Sequence, residues 1–275
     1  MLELPEVLNL EKDLAETIID KRIKKVEVNK SEHKFTFYNI KPEEYSKLLE
    51  GKNVTNITQY GFYISIEVED VELLFRDGVN LRYHKTPITL PEKHQLYIEF
   101  EDNTYLTSTV TMYGLIYCAV KGELNQDKYL KIAKENINPT QKEFDYTYFL
   151  KLFENCKETI SAKAFLATEQ RINGVGNGVV QDILYNARIH PKKKLKDLNK
   201  EEKQELFHSL KDVLDIMIRQ GGRDTEKNLN GEYGKYRTVL SKKTVNQPCD
   251  ICGNIIKKEN FLGGSIYYCS ECQKL

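Results

Sequence analysis

Six cysteines occur in the 275 residues, and four of them form the pattern Cys249-x2-Cys252-x16-Cys269-x2-Cys272. Two C-x2-C pairs at this separation are a strong signature for zinc, because two tight turns each present two soft thiolates to one tetrahedral ion. Zn2+ is therefore the expected cofactor, one ion per chain. Its role is structural, since four protein ligands leave no open position for a substrate. The segment Gly253–Tyr268 has the length of a β-hairpin. A chain end of this size builds no core of its own, so the metal supplies its folding energy. The alternative, two disulfides, is disfavoured in a reducing cytoplasm. Cys118 and Cys156 stand alone and read as buried thiols. A zinc hairpin names no function by itself, because such modules bind nucleic acid, bind protein or cap a fold.

A second chemical candidate is Arg171-Ile172-Asn173-Gly174-Val175-Gly176-Asn177-Gly178. It lies between two helical patterns. Closely spaced glycines let backbone approach a ligand, and Asn177 has the side chain to cap the next helix. Backbone N–H groups at a helix start attract phosphate. A plain helix connector is the competing reading of the turn alone. Ile189-His190-Pro191 and three lysines, Lys192–Lys194, follow that helix.

The elements around these motifs divide the chain. Pro5 suits a first helical turn, and Val7, Leu10, Leu14 and Ile18 follow at helical spacing. Strand patterns come next at Phe35–Tyr38, Tyr60–Val68, Val71–Phe75 and Gln95–Glu101. In Tyr60–Val68, the residues Phe62, Ile64, Ile66 and Val68 alternate with Tyr63, Ser65 and Glu67, as in a half-buried strand. Residues 1–118 thus read as a β-sandwich with a leading helix. Residues 119–141 are polar and read as a linker. Residues 142–240 carry helical patterns at Tyr146–Phe153, Ser161–Gln170, Gly178–Ala187 and Glu201–Ile218. They also include a glycine-rich, charged stretch, 221–238, whose part Gly221–Lys235 reads as a mobile loop. Residues 241–275 hold the cysteines. The fold class is α+β in two domains.

Hydrophobic residues make up 40% of the chain and charged residues 30%, which suits a water-soluble globular protein. No apolar run reaches 18 residues, and the start Met1-Leu2-Glu3-Leu4-Pro5-Glu6 lacks an apolar stretch, so neither a spanning helix nor a secretory signal is expected. The expected compartment is the cytoplasm, with no membrane partner and a monomeric state. Net charge is zero, but residues 1–140 carry 18 basic and 23 acidic side chains, and residues 141–275 carry 23 and 18. A basic second half is compatible with a phosphate-binding face; chance and solvated helices give the same imbalance.

Four places in order resemble the formamidopyrimidine-DNA glycosylase / endonuclease VIII (Fpg/Nei) family. Leu2-Glu3-Leu4-Pro5-Glu6-Val7 resembles its opening P-E-L-P-E-V. Lys93-His94 begins a strand as in its sandwich domain. Lys163 through Pro191 resembles its helix-two-turns-helix element, with Gly174-Val175-Gly176-Asn177 at the centre. The four cysteines followed by Gln273 resemble its zinc finger. The resemblance implies an N-terminal β-sandwich and a C-terminal helical domain with a zinc finger, flanking a DNA cleft. It implies a flipped-out target nucleotide and a partner that is double-stranded DNA with a damaged base or abasic site. Lys93, His94, Lys163, Gly176 and Asn177 are then candidate phosphate contacts, which position the duplex without reading its bases. The stretch 221–238 matches the family's lesion-covering loop, so Arg223, Lys227, Lys235 and Arg237 become candidate contacts to DNA; a solvated loop is the alternative.

Departures from the family pattern bear on the chemistry. Family members expose an N-terminal proline whose amine attacks the sugar and forms a Schiff base. Here the second residue is Leu2, which hinders removal of Met1 and leaves the α-amine on Met1. An α-amine has a pKa near 8 and is partly neutral at physiological pH. Glu3, the family's proton donor to the sugar ring, is present, and so is Glu6. A family lysine falls on Phe62. The turn that inserts into the helix gap reads Thr111-Met112-Tyr113-Gly114, where Met112 and Tyr113 retain the ability to wedge between bases but offer no guanidinium. A second gap-filling position is Val79. The finger's arginine is absent from Gly263-Gly264-Ser265-Ile266. The sequence therefore points to a base-excision enzyme with Glu3, Glu6 and Met1 as catalytic candidates and possible strand cleavage, or to a non-catalytic damage-binding protein of the same fold.

Overall fold

The computed structural model describes residues 2–275, except for the side chains of Asn125 and Gln126; Met1 lies outside the described residues. The chain forms two compact units, residues 1–134 with 221–235, and residues 135–220 with 236–275.

The first unit begins with helix α1, Leu4–Ile18. Pro5 sits in its first turn, where a missing N–H costs nothing. Its apolar stripe, Leu4, Val7, Leu10, Leu14 and Ile18, is buried. Each such side chain contributes about 1.5–3 kcal/mol on burial, so this face anchors whatever the helix start presents.

Among the described residues, seven strands form one sheet in the order β1-β6-β7-β5-β4-β3, with β2 added parallel to β7. These are β1 (Ile23–Val28), β2 (Thr36–Phe37), β3 (Val54–Tyr60), β4 (Tyr63–Val68), β5 (Val71–His84), β6 (Leu96–Phe100) and β7 (Tyr105–Val120). The two long strands, β5 and β7, pair with each other along nearly their whole length. The first half of β5 pairs with β4, while β6 pairs with the first part of β7. Between the halves the β5–β7 register passes from Asp77↔Gly114 to Val79↔Val110, so Gly78 alone opposes Thr111, Met112 and Tyr113. A Cβ on Gly78 would lie 2.0 Å from the Thr111 carbonyl oxygen, so only glycine fits this bulge.

The structure differs from the sequence reading in definite ways. Tyr60–Val68 is not one strand: Gly61, with φ +60°, turns the chain between β3 and β4. Strand β4 is also buried on both faces rather than one. α1 packs on the side of Ile64 and Ile66, and Tyr63 joins Leu74, Leu124, Leu130 and Ala133 on the other. The supposed linker supplies that second cover. β7 runs to Val120, and helix α3, Lys128–Glu135, follows within it. The stretch 221–235 belongs to this unit rather than to the helical one, and its Leu229 is 1% exposed within the same core as α1. Helix α2, Pro42–Leu49, completes the unit and buries Tyr45 and Leu49.

The second unit is built from α4 (Tyr146–Glu154), α5 (Ala162–Ala167), α6 (Val179–Asn186), α7 (Lys200–Arg219) and the hairpin β8 (Lys257–Phe261)–β9 (Gly264–Tyr268). Asp145, Ser161 and Asn199 cap α4, α5 and α7 by accepting backbone N–H groups, as their types favour. Phe144, Phe149, Phe153, Phe165 and Phe207 pack ring to ring between α4, α5 and α7. Among the described residues, no helix is long and apolar enough to cross a membrane.

Candidate functional site

The start of α1 and the loop 221–235 build one candidate centre inside the first unit. The Leu2 N–H donates to the Asp77 carbonyl at 2.9 Å, which ties the chain start to the β5 bulge. Glu3 is the N-cap residue of α1, and its side chain makes no capping bond; it is only 1% exposed. Glu6, one turn on, receives Arg223: Nε donates to Oε1 at 2.9 Å, Nη2 to Oε2 at 2.7 Å, and the Arg223 backbone N–H to Oε1 at 3.2 Å. Arg223 Nη1 also stands 3.7 Å from Glu3 Oε2. Burial alone would lower the arginine's pKa, but Glu3 and Glu6 outweigh it and drive the value above its ordinary range.

Loop geometry delivers this arginine. Gly221 and Gly222 leave α7 with φ of +73° and +95°. A Cβ on Gly234 would lie 2.1 Å from the Gly222 carbonyl oxygen, so the two ends of the loop touch backbone to backbone. The Tyr83 N–H donates to the Leu229 carbonyl. The expected mobile segment is thus anchored at Glu6, at β5 and in the core. A cleft beside the ion pair is lined by Leu2, Glu6, Val79, Arg82 and Gly222 among others.

Arg223 is therefore not a surface cation. It is 3% exposed and committed to two carboxylates, because buried carboxylates need a buried counter-charge. Lys235 and Arg237 are exposed, and Lys227 lies over the Tyr233 ring. Met112 has φ +69° and projects from the bulge 67% exposed, with Tyr113 beside it at 42%. Val79 is buried against Gly114. Phe62 packs against the Tyr63–Leu130 cluster. Lys93 is exposed, whereas His94 is buried, with Nδ1 3.2 Å from the Pro91 carbonyl oxygen.

A second constellation lies within the second unit. Gly174 has φ +83° in the turn between α5 and α6, and Gly176 is buried. Helix α6 starts after Gly178, its N-cap, so Asn177 does not cap it. The Asn177 Nδ2 instead donates to the Ser265 carbonyl at 3.2 Å. Gln181 joins it on the same carbonyl at 3.1 Å and accepts from the Tyr267 N–H at 3.0 Å. Lys163, 3% exposed, donates to the Phe261 carbonyl at 2.8 Å, and burial lowers its pKa. The hairpin tip takes up this ammonium, so Lys163 is not an exposed phosphate contact here. Gly264 abuts Asn177, where an added Cβ would meet the amide at 3.4 Å. Gln181 and Glu6's partner Arg223 are the residues whose roles no local pattern announces; each acts on a segment over 80 positions away.

The four cysteine sulfurs lie within 4.8 Å of one another. Cys249–Cys272 and Cys252–Cys269 are separated by 3.8 and 3.4 Å, far beyond a bond of about 2.05 Å. With Zn–S near 2.3 Å, a tetrahedral edge is about 3.8 Å. The donor set fits one structural zinc. Around it, the Tyr185 hydroxyl lies 3.0 Å from the Cys249 sulfur. Gln273 accepts from the Cys269 N–H and donates to the Ile189 carbonyl, both at 3.0 Å, and Asp182 accepts from the Val239 and Leu240 N–H groups.

Comparison with known proteins covers almost the whole chain. Residues 1–133 match the formamidopyrimidine-DNA glycosylase N-terminal domain, residues 136–228 the formamidopyrimidine-DNA glycosylase H2TH domain, and residues 246–275 the zinc finger found in FPG and IleRS. The formamidopyrimidine-DNA glycosylase of Cytobacillus firmus is 27% identical, over 99% of this chain and 100% of its own. That of Mycoplasma mobile is 28% identical, with both chains fully covered. The Lactococcus lactis Fpg, solved in complex with DNA containing an abasic site, superposes with a TM-score of 0.83 at 25% identity, over 99% of this chain and 100% of that one. The MutM (Fpg) protein of Thermus thermophilus, at 21% identity and a TM-score of 0.81 over 98% of both chains, shares the fold. With all three segments in order on the fold those segments specify, this chain belongs to the formamidopyrimidine-DNA glycosylase family.

Proposed function

We propose that the protein is a DNA base-excision repair glycosylase. It binds duplex DNA carrying a damaged base or an abasic site, turns the target nucleotide out of the stack, and cleaves its N-glycosidic bond. The observation that carries this reading is the buried carboxylate pair Glu3 and Glu6 at the start of α1, beside a cleft and held by Arg223. Glu3 is the general acid toward the sugar ring, and Glu6 with Arg223 positions it. The nucleophile is the Met1 amine or a water molecule; strand cleavage by β-elimination follows only from the amine, through a Schiff base. Asn177 and the Gly176 turn, with exposed Lys93, Lys235 and Arg237, hold phosphates, and Met112 with Tyr113 fills the gap left by the flipped nucleotide. The named activities and DNA complexes of the relatives support this assignment, and the cytoplasm is the compartment it implies.

Leu2 in place of proline favours a second reading, a damage-binding protein without catalysis. Borohydride reduction in the presence of a duplex with one abasic site separates the cases. A trapped adduct mapped to Met1 establishes the amine mechanism. Absence of an adduct, with base release from a panel of lesions that Glu3→Gln abolishes, establishes the water mechanism. Tight binding with neither adduct nor release leaves the binder.

A further inference from the structure

Beside the bulge of β7, and adjoining Met112 and Tyr113, lie two exposed rings, Phe35 and Phe37, that the proposed function does not use. Strand β2 pairs parallel with β7 through Thr36↔Gly114 and Phe37↔Leu115, and the Phe35 carbonyl accepts the Gly114 N–H at 2.9 Å. Side chains alternate on both strands. Gly114, Ile116 and Cys118 of β7 turn inward and are buried, whereas Tyr113 and Leu115 turn outward. Phe35 and Phe37 share that outward face. At its far end the face is covered, because Tyr117 packs with Leu124 and Leu130. At the near end it is bare: Phe35 is 48% exposed, Phe37 51%, Tyr113 42% and Met112 67%. Exposed apolar side chains grouped on one face, rather than scattered singly, mark a binding surface. The Lys34 ammonium stands 5.3 Å over the Phe35 ring and His33 packs edge-on against the same ring, so a phosphate beside a stacked base would meet a cation already seated on this face.

We propose that Phe35 and Phe37, continuous with Tyr113, form a stacking platform for unpaired nucleobases of the bound DNA, with Lys34 on the adjoining phosphate. This rests on the DNA-binding reading above and extends it. Rings stack on any base without reading its edges. The platform therefore favours DNA with unpaired bases over fully paired duplex and is indifferent to which base is unpaired.

The test compares wild type, Phe35→Ala/Phe37→Ala and Phe35→Tyr/Phe37→Tyr. Each binds a fully paired duplex and a duplex with 2-aminopurine opposite an abasic-site analogue. Wild type should quench the 2-aminopurine fluorescence. The double alanine variant should lose most of that quenching and about 5- to 150-fold in affinity for the unpaired substrate for one stacked base, with paired-duplex affinity retained. The tyrosine pair should restore both. Both side chains are half exposed, so the melting temperature should not move. Equal quenching and affinity in the alanine variant overturns the platform while leaving DNA binding intact. A wild type that binds neither DNA overturns the DNA-binding reading together with it. A wild type that dimerises where the alanine variant does not makes a second copy the occupant, and overturns the proposal.

Discussion

Arg223 and Glu6 lie 217 positions apart in sequence and meet through two side-chain hydrogen bonds, of 2.9 and 2.7 Å, in a site where the arginine is 3% exposed. The pair welds the loop after α7 to the start of α1. It also sets the charge beside Glu3, since one guanidinium faces two carboxylates.

Arg223→Gln should therefore destabilise strongly. Removing one partner of a buried pair strands the other charge and costs about 3–5 kcal/mol. Arg223→Lys keeps the charge but loses the fork geometry and should recover only part. Denaturant midpoints measure both. A midpoint within experimental error of wild type for Arg223→Gln would show that the loop is not held by this contact.

Gly78→Ala tests the bulge. Its new methyl would meet the Thr111 carbonyl oxygen at 2.0 Å, so β7 must shift where it carries Met112 and Tyr113. The cost should be at least roughly 1–3 kcal/mol, as for overpacked interiors. Calorimetry of the variant would contradict the register if the melting temperature held.

His84 makes stability depend on pH. Its Nδ1 and Nε2 each lie 2.9 Å from a threonine hydroxyl, of Thr89 and Thr107. Burial, then the Arg82 charge, pushes its pKa below the ordinary histidine value. The unfolded chain then takes up a proton first as pH falls. The stability contributed is complete above the unfolded value of about 6.5 and is lost as pH drops from there toward the folded value. Urea midpoints at pH 7.5 and 5.5 should separate more for wild type than for His84→Gln. Equal separation would remove His84 as a source.

One zinc per chain should be found by elemental analysis. Cys269→Ser should lose it and with it much of the metal's folding energy, about 10–16 kcal/mol in isolated fingers. The contacts of Lys163, Asn177 and Gln181 with the β8–β9 hairpin should loosen together, exposing residues 246–275 to limited proteolysis. Normal protection in the metal-free variant would show that those contacts hold the hairpin without zinc.

Asn177→Ala should weaken DNA binding irrespective of sequence, by about 10- to 100-fold for a hydrogen bond to a charged phosphate. Because Asn177 also bonds the Ser265 carbonyl, zinc content must be measured alongside. Full affinity with full zinc would remove Asn177 from the phosphate site.

The features legible in the residue string are local in origin. The zinc ligands were legible because both C-x2-C pairs carry their spacing with them. Helix α1 was legible because Pro5 and a stripe from Val7 to Ile18 act within one element, and the four ordered motifs identified the family. The pairing of distant charges was settled by tertiary contacts. Nothing near Arg223 predicts that it is consumed by Glu6, and nothing near Lys163 predicts that its ammonium ends on the Phe261 carbonyl. Packing likewise made residues 124–133 a cover for the sheet, since polar composition conceals the few buried residues Leu124, Leu130 and Ala133. Packing also carried β5 past Phe75, where the strand pattern in the sequence ends, through Asp77-Gly78, because Gly78 answers a bulge more than thirty residues away. Periodicity and spacing report what a segment does with its neighbours in sequence. Which buried charge finds a counter-charge, and which strand face stays bare, depends on neighbours that only folding supplies.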